Sequence, residues 1–362
     1  MTPAQEDALV SHESSAARVP DDPPQPGRAA QLIGLGGWLP PREVTNAQVC
    51  AQLDTTDEWI RSRIGIATRR IADPSTATSD MAVKAGVLAM ESAGTEHVDA
   101  VIVATSCPDH PVPATAPIVA HKLNQRHVPA FDIGAGCSGF LYATTVAAGL
   151  IHAASARTVL VIGAEKLSTI TDPADRSTAP IFGDGAGAVV LTAGPATQPG
   201  AFGPVVWGSD GTYADALIVH DGGSRRPATT DGPLDHFVRM RGNEVLRHAI
   251  RRMSQAAREA ATAAGWHLHD IDRLIVHQAN ARIGAGVANA LTIPPERVPT
   301  NIARVANTSA ASIPLLLADA AIHGHLEPSH RILMAAFGAG FTWAASTLVW
   351  PDKLRPLMTT TL

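Results

Sequence analysis

Two similar stretches of this chain constrain its fold more than any other feature of the sequence. The four matching segments are VDAVIVATSC (98–107) and VPAFDIGAGCSG (128–139) in the first copy, and IDRLIVHQAN (271–280) and VPTNIARVANTS (298–309) in the second. Eight residues after the proline of each Val-Pro pair stands a polar residue, which is Cys137 in the first copy and Asn307 in the second. A duplicated unit that packs as a pseudo-dimer would bring these two residues to one seam.

The residue types at this predicted seam are those of thioester chemistry. The apolar run that precedes Cys137 ends near Thr105, and the corresponding run of the second copy ends at His277. Cysteine, histidine and asparagine side by side would supply a nucleophile, a base and an oxyanion donor. Taken singly, each has an ordinary alternative: a buried structural cysteine, a core histidine and a helix N-cap asparagine. The duplication favours the catalytic interpretation because it predicts their proximity without using their chemistry.

The surroundings of Cys137 fit a nucleophile at a strand-to-helix turn. The segment GAGCSG places glycines on both sides of the cysteine, after a predicted strand and before a long apolar helix. Free N–H groups and the dipole at a helix N-terminus favour a thiolate. Glycine also lets a substrate come close to the backbone.

Composition bounds the class of protein. The chain has 362 residues, of which 45% are hydrophobic and 17% charged, which is typical of a buried α/β protein rather than a disordered one. The net charge of −5 gives no general signal for polyanions, so we expect no nucleic-acid partner, although the basic cluster RHAIRRM (247–253) leaves room for a patch facing an acidic partner.

Cysteine usage and hydropathy bound the compartment. Three widely spaced cysteines (Cys50, Cys107 and Cys137) form neither a disulfide framework nor a metal site, so we expect reduced thiols in the cytoplasm. No apolar run is long enough to predict a membrane span, and acidic and polar residues replace the apolar region of a signal peptide.

Strands alternate with helices along the chain, which predicts an α/β fold with mostly parallel sheets covered on both faces. The duplication predicts two such sheets, stacked with buried helices between them, and a strand in both VPAFDI and VPTNI. We expect three regions: a disordered tail at 1–28, a first half at 29–197 carrying Cys137, and a second half at 198–362 carrying His277 and Asn307. A Gly/Pro-rich linker at 193–204 would join the halves.

Two other motifs have plain explanations. GDGAG (183–187) lacks the GxGxxG spacing and is followed by AVVL rather than a helix, so it predicts a tight turn between strands and not a nucleotide site. The pairs HLH (267–269) and HGH (323–325) lack acidic or cysteine partners and predict solvated loops rather than a metal site.

Eight motifs in order carry a family resemblance. They are DEWIRSRIGI, GAGCSGF, DPADRST, FGDGAGAVVL, GNEV, HQANARI, NTSAAS and FGAGFTW. Together they resemble β-ketoacyl-acyl-carrier-protein synthase III of the thiolase superfamily over about residues 30–350. The resemblance implies a homodimer with the five-layer αβαβα thiolase fold and a triad of Cys137, His277 and Asn307. It also implies ping-pong chemistry, in which an acyl-CoA acylates the cysteine and malonyl-carrier protein then loses CO2 and attacks the acyl-enzyme.

The resemblance implies further roles, residue by residue. Backbone N–H groups of Cys137 and Ala339 would form the oxyanion hole. The implied substrate-binding residues are Trp59 and Arg176 around the CoA adenine, Arg63 on phosphate, Asn243 and Asn280 along the pantetheine tunnel, and Arg247 and Arg282 at its mouth, facing an acidic carrier protein. A solvated surface charge is the alternative for each arginine, above all for Arg247. No metal or redox cofactor is implied, because loss of CO2 drives the condensation.

The sequence departs from the family pattern in places that concern the primer. Ala306 precedes Asn307 where the family usually has glycine, which adds a methyl group beside the catalytic amide. The proline-rich segment CPDHPVPATAP (107–117) matches poorly, and it falls where the family lines the acyl pocket of the partner subunit. Val112 falls near the residue that caps that pocket, so we expect a primer bulkier than acetyl.

Three other functions remain open at this point. An acyltransferase of the same fold would move the acyl group to an alcohol or amine without decarboxylation, and would not need Asn307. A non-catalytic binding subunit would have lost the nucleophile, whereas Cys137 is present. A hydroxymethylglutaryl-type condensation would need an added carboxylate as general acid, and no sequence signal marks one.

Overall fold

The computed structural model describes residues 27–227 and 234–360. The predicted disordered tail lies outside the described residues except for Gly27 and Arg28. The first strand begins at Arg28, one residue before the predicted start of the first half.

The described residues contain nine α-helices. They are α1 (Asn46–Cys50), α2 (Asp57–Arg63), α3 (Thr78–Ala93), α4 (Thr115–Lys122), α5 (Gly139–His152), α6 (Gly242–Ala263), α7 (Ala281–Leu291), α8 (Ile302–Val305) and α9 (Ser312–Ile322). Helix α2 begins directly after Thr56, whose hydroxyl accepts the N–H of Trp59 at 3.1 Å. Asp57 in the first turn then pairs with Arg61 one turn later at 2.7 Å.

Four groups of strands are present in the same residues. The strands are β1 (Arg28–Trp38), β2 (Glu43–Thr45), β3 (Thr68–Arg70), β4 (Ala100–Ala104), β5 (Ala130–Ile133), β6 (Thr158–Glu165), β7 (Gly185–Pro195), β8 (Phe202–Ser209), β9 (Leu217–Val219), β10 (Val238–Met240), β11 (Arg273–Val276), β12 (Arg331–Gly338), β13 (Thr342–Val349) and β14 (Leu357–Thr359). The two large sheets have the orders β14-β1-β7-β6-β4-β5 and β11-β12-β13-β8, and β2-β3 and β9-β10 form small pairs.

The duplication appears in the order of the strands. The run β1-β7-β6-β4 of the first sheet corresponds to β8-β13-β12-β11 of the second. In both runs the second strand is antiparallel to its two neighbours and the last pair is parallel. The sheets are therefore mixed, and the expectation of mostly parallel sheets is wrong. The reason is clearest in the second sheet, where β13 returns directly beside β12 after only three residues.

The predicted strand in VPTNI does not form, so the second sheet lacks a counterpart of β5. Pro299 cannot donate to a ladder, and the Thr300 hydroxyl donates instead to the side chain of Gln278 at 2.6 Å. The chain then enters α8 at Ile302. The predicted linker is also shorter than expected, because β7 continues to Pro195 and β8 begins at Phe202.

Helices and sheets stack in five layers. Helices α3 and α4 cover the outer face of the first sheet, α6 and α7 cover the outer face of the second, and α5 and α9 lie between the sheets. The central layer packs mainly through apolar side chains, such as the buried Phe140, Leu141, Leu316 and Leu317. Each such side chain contributes about 1.5–3 kcal/mol on burial. This layer fixes the N-terminal ends of α5 and α9 near one another.

The sequence predicts that GDGAG forms a tight turn between strands, and this prediction is wrong. Its last three residues open β7, which packs beneath α9. A Cβ atom on Gly187 would lie 2.9 Å from the backbone nitrogen of Leu315. Glycine is needed there because the helix and the strand approach too closely for a side chain.

Two further structural features bear on the expectations from composition. Within residues 27–227 and 234–360, no helix combines the length and the apolar character that crossing a membrane requires. In the same residues, no three His, Cys, Asp or Glu side chains gather as metal ligands.

Candidate active site

A cavity of about 420 Å³ lies at the seam between the two halves, and Cys137, His277 and Asn307 all line it. Cys137 stands in the 3₁₀ turn that runs directly into α5. His277 follows the last residue of β11, and Asn307 precedes the turn that leads into α9. The fold thus brings together the three residues that the duplication singled out.

The cysteine turn packs against the loop between β12 and β13 through backbone atoms. A Cβ atom on Gly338 would lie 2.6 Å from the nitrogen of Cys137, and one on Gly136 would lie 2.9 Å from the nitrogen of Ala339. The Thr342 hydroxyl donates to the Ala135 carbonyl at 2.8 Å and ties the two loops together. The N–H groups of Cys137 and Ala339 therefore belong to adjacent, fixed segments, as an oxyanion hole requires.

Burial dominates the electrostatics of Cys137. Desolvation raises the pKa of its thiol to about 12, a hydrogen bond with Ser309 lowers it, and the nearby Glu165 carboxyl raises it. The thiol is therefore protonated at neutral pH. The start of α5 does not make a stable thiolate here, because the loss of water outweighs the helix terminus. A base has to take the proton as the sulfur attacks.

His277 also lines the cavity, and its imidazole could accept that proton. Its side chain is buried, and neither ring nitrogen has a hydrogen-bond partner within the described residues. Burial lowers its pKa to about 3, so the imidazole is neutral at physiological pH. A buried polar atom without a partner costs about 1–3 kcal/mol. The neutral ring therefore offers one nitrogen as an acceptor and one N–H as a donor in the cavity. Leaving both without a partner lowers the stability of the folded protein, which is typical of a functional site.

The amide of Asn307 is fixed by its neighbours. Its Oδ1 accepts the N–H of Ser309 at 2.8 Å, and its backbone bonds Ile181 and Gly183 at 3.0 Å each. The N-cap alternative is not met, because Thr308 is the N-cap of the following 3₁₀ turn and Asn307 lies one residue before it. Because the oxygen is occupied, Nδ2 is the atom of this amide that is available as a donor toward the cavity.

Ala306 adopts a backbone conformation that ordinarily belongs to glycine. Its φ is 62° and its ψ is −162°, and its side chain is buried. Residues with a Cβ atom in this region carry about 1–3 kcal/mol of strain. The methyl group that distinguishes this chain from the family pattern thus strains the loop that presents Asn307.

Trp59 and Arg176 lie together beside the cavity. The guanidinium carbon of Arg176 is 4.6 Å from the centre of the Trp59 ring, a cation–π contact. Arg239 anchors the preceding part of the Arg176 loop through Asp172 at 3.0 Å and Asp175 at 3.7 Å. At this distance the guanidinium covers the face of the indole, so the two side chains would have to move apart to admit a flat aromatic ligand between them.

The other predicted binding residues divide into two groups. The cavity is lined by Arg63, Asn243, Asn280 and Arg282. Asn280 also caps α7 by accepting the N–H of Arg282 at 2.9 Å. Arg247 is exposed on α6 and does not line the cavity. Neither does Val112, whose side chain is 85% exposed in the single chain.

Sequence reasoning did not identify two parts of the site. The first is the apolar wall, formed by Ile181, Phe182, Leu217, Met240, Val245, Leu246, Ala249, Met253, Ile283 and Phe337. Val245, Ala249 and Met253 recur at helical spacing on α6, but most of the other residues come from distant segments. The second is Glu165, a fully buried carboxyl beside the cysteine. Its one signal in the sequence is a charged residue that ends the apolar strand TVLVIGAE.

Comparison with known proteins identifies the family. Two models of 3-oxoacyl-acyl-carrier-protein synthase III match this chain, the main model at residues 131–211 and the C-terminal model at residues 261–350. β-Ketoacyl-acyl-carrier-protein synthase III 3 of Streptomyces coelicolor is 52% identical over 328 residues, which cover 90% of this chain and 98% of that protein. The chain belongs to the β-ketoacyl-acyl-carrier-protein synthase III family. A synthase III of Pseudomonas aeruginosa is 44% identical over 331 residues, covering 91% of this chain and 99% of that protein.

Solved structures of synthase III proteins agree with the fold. The crystal structure of the Pseudomonas aeruginosa PAO1 enzyme has a TM-score of 0.84 at 43% identity and covers 90% of this chain and 99% of its own. The priming β-ketosynthase of a polyketide biosynthetic pathway has a TM-score of 0.85 at 36% identity, covering 93% and 99%. The predicted thiolase-like αβαβα fold is thereby confirmed, and this synthase III is an acyl-transferring condensing enzyme.

Proposed function

We propose that this synthase III transfers an acyl group from acyl-CoA to Cys137 and then condenses it with malonyl-carrier protein, with loss of CO2. The observation that carries the proposal is the convergence of Cys137, His277 and Asn307 on one cavity. The reaction would initiate a fatty acid or a polyketide in the cytoplasm. The polyketide product is supported by a relative that primes a polyketide pathway. The fatty-acid product is supported by the relatives named β-ketoacyl-acyl-carrier-protein synthase III.

The first half-reaction needs a proton acceptor, because the thiol of Cys137 is protonated at neutral pH. Neutral His277 takes that proton as the sulfur attacks the thioester carbonyl. The resulting oxyanion accepts hydrogen bonds from the N–H groups of Cys137 and Ala339. When the carbonyl re-forms, the bond to the CoA sulfur breaks and the proton leaves with CoA as its thiol.

The second half-reaction needs hydrogen-bond donors for a developing enolate. Loss of CO2 from the malonyl thioester leaves negative charge on its carbonyl oxygen. Asn307 Nδ2 and a ring N–H of His277 donate to that oxygen. The enolate carbon then attacks the acyl carbonyl on Cys137, the bond from that carbon to the cysteine sulfur breaks as the carbonyl re-forms, and the released thiolate takes a proton from water. The broken C–CO2 bond drives the step, so the scheme calls for no metal or redox cofactor.

The entrance of the cavity fits a CoA-type substrate. The CoA adenine would lie between Trp59 and Arg176, with Arg63 on a phosphate. Asn243 and Asn280 would line the path of the pantetheine arm.

A carrier protein would deliver the same arm for the second half-reaction. It would meet Arg282 at the cavity and Arg247 outside it. A basic rim of this kind would steer an acidic carrier protein toward the entrance.

We further propose that the enzyme is a homodimer. Among the residues that the structure describes, strand β5 ends the first sheet, with half-buried side chains and one edge that has no partner strand. An exposed edge strand invites pairing with a second copy. A second subunit would also cover the exposed Val112 and the segment 107–117, which would then line the partner's acyl pocket.

The predicted boundary between the halves, at 197/198, falls between β7 and β8 and stays a proposal.

Mass spectrometry with assorted acyl-CoAs tests the proposal directly. We expect one acyl adduct per chain on the wild type, located at Cys137, and little or none on Cys137→Ser, because a serine hydroxyl is a poor nucleophile without a strong base. Malonyl-carrier protein labelled at the free carboxyl should then release CO2 from the acylated wild type. Acylation without CO2 release would favour an acyltransferase that uses an alcohol or amine.

A further inference from the structure

Glu165 is a buried carboxyl group that the reaction scheme does not use. It ends β6, is fully buried, and pairs with no lysine or arginine among the residues that the structure describes. Hydrogen-bond donors surround it instead. Oε2 accepts the N–H of Ser106 at 2.9 Å and the hydroxyl of Thr105 at 3.3 Å, and Oε1 accepts the hydroxyl of Ser309 at 2.8 Å. A carboxyl kept inside a protein without a counter-ion is costly and calls for a reason.

Ser309 links this carboxyl to both catalytic loops. Its N–H donates to Asn307 Oδ1 and its hydroxyl donates to Glu165 Oε1, at 2.8 Å each. Ser309 is also close enough to Cys137 to lower the pKa of its thiol. Its φ of 47° lies in the left-handed region, which a residue with a Cβ atom seldom adopts. The bond to Glu165 therefore helps to hold Ser309 where it can contact both groups.

We propose that Glu165 is a positioning residue, which acts through Ser309 to hold the Cys137 thiol and the Asn307 amide in register across the seam. The proposal rests on the proposed function, since it assigns roles in the same two half-reactions. Glu165 belongs to the first half of the chain and Ser309 to the second. Their bond therefore connects the halves at the point where the nucleophile and the enolate donor meet.

The donors around Glu165 suit a carboxylate and not an amide. Both of its oxygens accept hydrogen bonds, so a glutamine of the same shape would turn an N–H₂ group toward Ser106 or toward Ser309. With the N–H₂ group facing it, the Ser309 hydroxyl would lose its acceptor. It would then turn its hydrogen toward another acceptor, of which the Cys137 sulfur is one.

The pH dependence of Cys137 provides a readout that a merely structural role would not change. The ionisable groups near the carboxyl are the Cys137 and Cys107 thiols. Asp184 raises the pKa of the Cys107 thiol, and Lys166 follows Glu165 in sequence. The negative charge of Glu165 raises the pKa of Cys137. Removing that charge should shift the alkylation profile of Cys137 to lower pH.

The test compares wild type, Glu165→Gln, Ser309→Ala and the double variant. Iodoacetamide alkylation of Cys137 is followed by peptide mass against pH, and CO2 release is measured from malonyl-carrier protein. We expect Glu165→Gln to move the alkylation midpoint to lower pH and to reduce condensation at least about tenfold. Ser309→Ala should reduce condensation similarly, and the double variant should be no worse than the poorer single variant.

Asp184→Asn is the matched control, because Asp184 is an equally buried carboxyl that accepts bonds from Ser168 and Ala72 instead. It should leave the Cys137 profile in place. An unchanged profile and full condensation in Glu165→Gln, or independent losses that add in the double variant, would overturn the proposal. If Glu165→Gln does not fold, Ser309→Ala with its own profile decides the question.

The two proposals can fail separately. If the wild type releases no CO2, the proposed function is wrong, yet the alkylation profiles of the single and double variants still report whether Glu165 and Ser309 act on Cys137 as a unit. If the wild type condenses normally and the profiles do not respond, only the positioning role is wrong.

Discussion

The backbone N–H of Ser309 donates to the side-chain Oδ1 of Asn307 at 2.8 Å. This bond leaves the amide nitrogen as the group available to a ligand in the cavity, because the amide oxygen is already occupied. The enolate of the proposed decarboxylation requires a donor and not an acceptor. The geometry of these two residues therefore supports the proposed condensing reaction over a simple acyl transfer.

Asn307→Ala should separate the two half-reactions. We expect the variant to acquire the acyl adduct on Cys137 but to lose CO2 release, since removing one such donor costs about 2.7–4 kcal/mol of transition-state stabilisation. Labelled malonyl-carrier protein measures the release. Asn289→Ala, on the exposed surface of α7, is the control and should release CO2 normally. Equal release from both variants would remove Asn307 from the decarboxylation step.

Ala306→Gly should stabilise the protein. Glycine relieves the strain at φ 62°, and this gain exceeds the entropy lost on ordering glycine, for a net effect of about 1 kcal/mol. Urea unfolding measures the difference. Ala288→Gly, inside helix α7, should instead destabilise by about 1 kcal/mol. A loss of stability in both variants would show that the Ala306 backbone is not strained.

His277 should make stability depend on pH below about 6.5, the ordinary value for histidine. Its folded-state pKa is about 3, so between these values the unfolded chain binds a proton that the folded chain does not. Stability from this group is therefore complete above pH 6.5 and decreases as the pH falls, by up to about 1.4 kcal/mol per pH unit.

Urea unfolding at pH 5 and pH 7.5 should show that wild type loses more stability on acidification than His277→Gln. The comparison is between the two proteins, because Glu165 and Asp184, whose pKa values burial raises, contribute with the opposite sign to both. An equal loss in the two proteins would mean that the imidazole is not held neutral.

Val112→Phe should shift primer preference toward acetyl-CoA. Valine at the constriction of the partner's acyl pocket would leave room for a primer bulkier than acetyl, and each buried methylene of the primer would add about 0.8 kcal/mol. The measurement is kcat/KM for acetyl-, butyryl-, isobutyryl- and hexanoyl-CoA. Val87→Phe, on the outer helix α3, is the control. A wild type that strongly prefers acetyl-CoA, with no change in Val112→Phe, would place the pocket wall elsewhere.

The sequence predicted the fold and the centre of the site for the same reason. The spacing of Cys137 and Asn307 after their Val-Pro pairs is a property of the repeated unit, so it implied both the paired sheets and the shared seam. The alternation of helices and strands could also be predicted, because an apolar face repeats with a different period in each.

The features that the sequence did not predict depend on contacts between distant segments, which leave no regular spacing in the sequence. Glu165 meets Ser309 across 144 residues of sequence, and nothing in the local pattern distinguishes it from a charged strand end. VPTNI has the pattern of a strand, yet Thr300 forms a side-chain bond where the ladder would be. Val112 has a predicted role only in the presence of a second chain.

The backbone contact between Gly338 and Cys137 bears on how this enzyme can acquire a new substrate. No side chain separates the two segments there, so no substitution can enlarge or reshape the floor of the site without displacing the sulfur itself. We therefore expect variation between related enzymes to enter through the apolar wall and the proposed subunit boundary. Libraries built for altered products should randomise those surfaces and leave the glycine contacts unchanged.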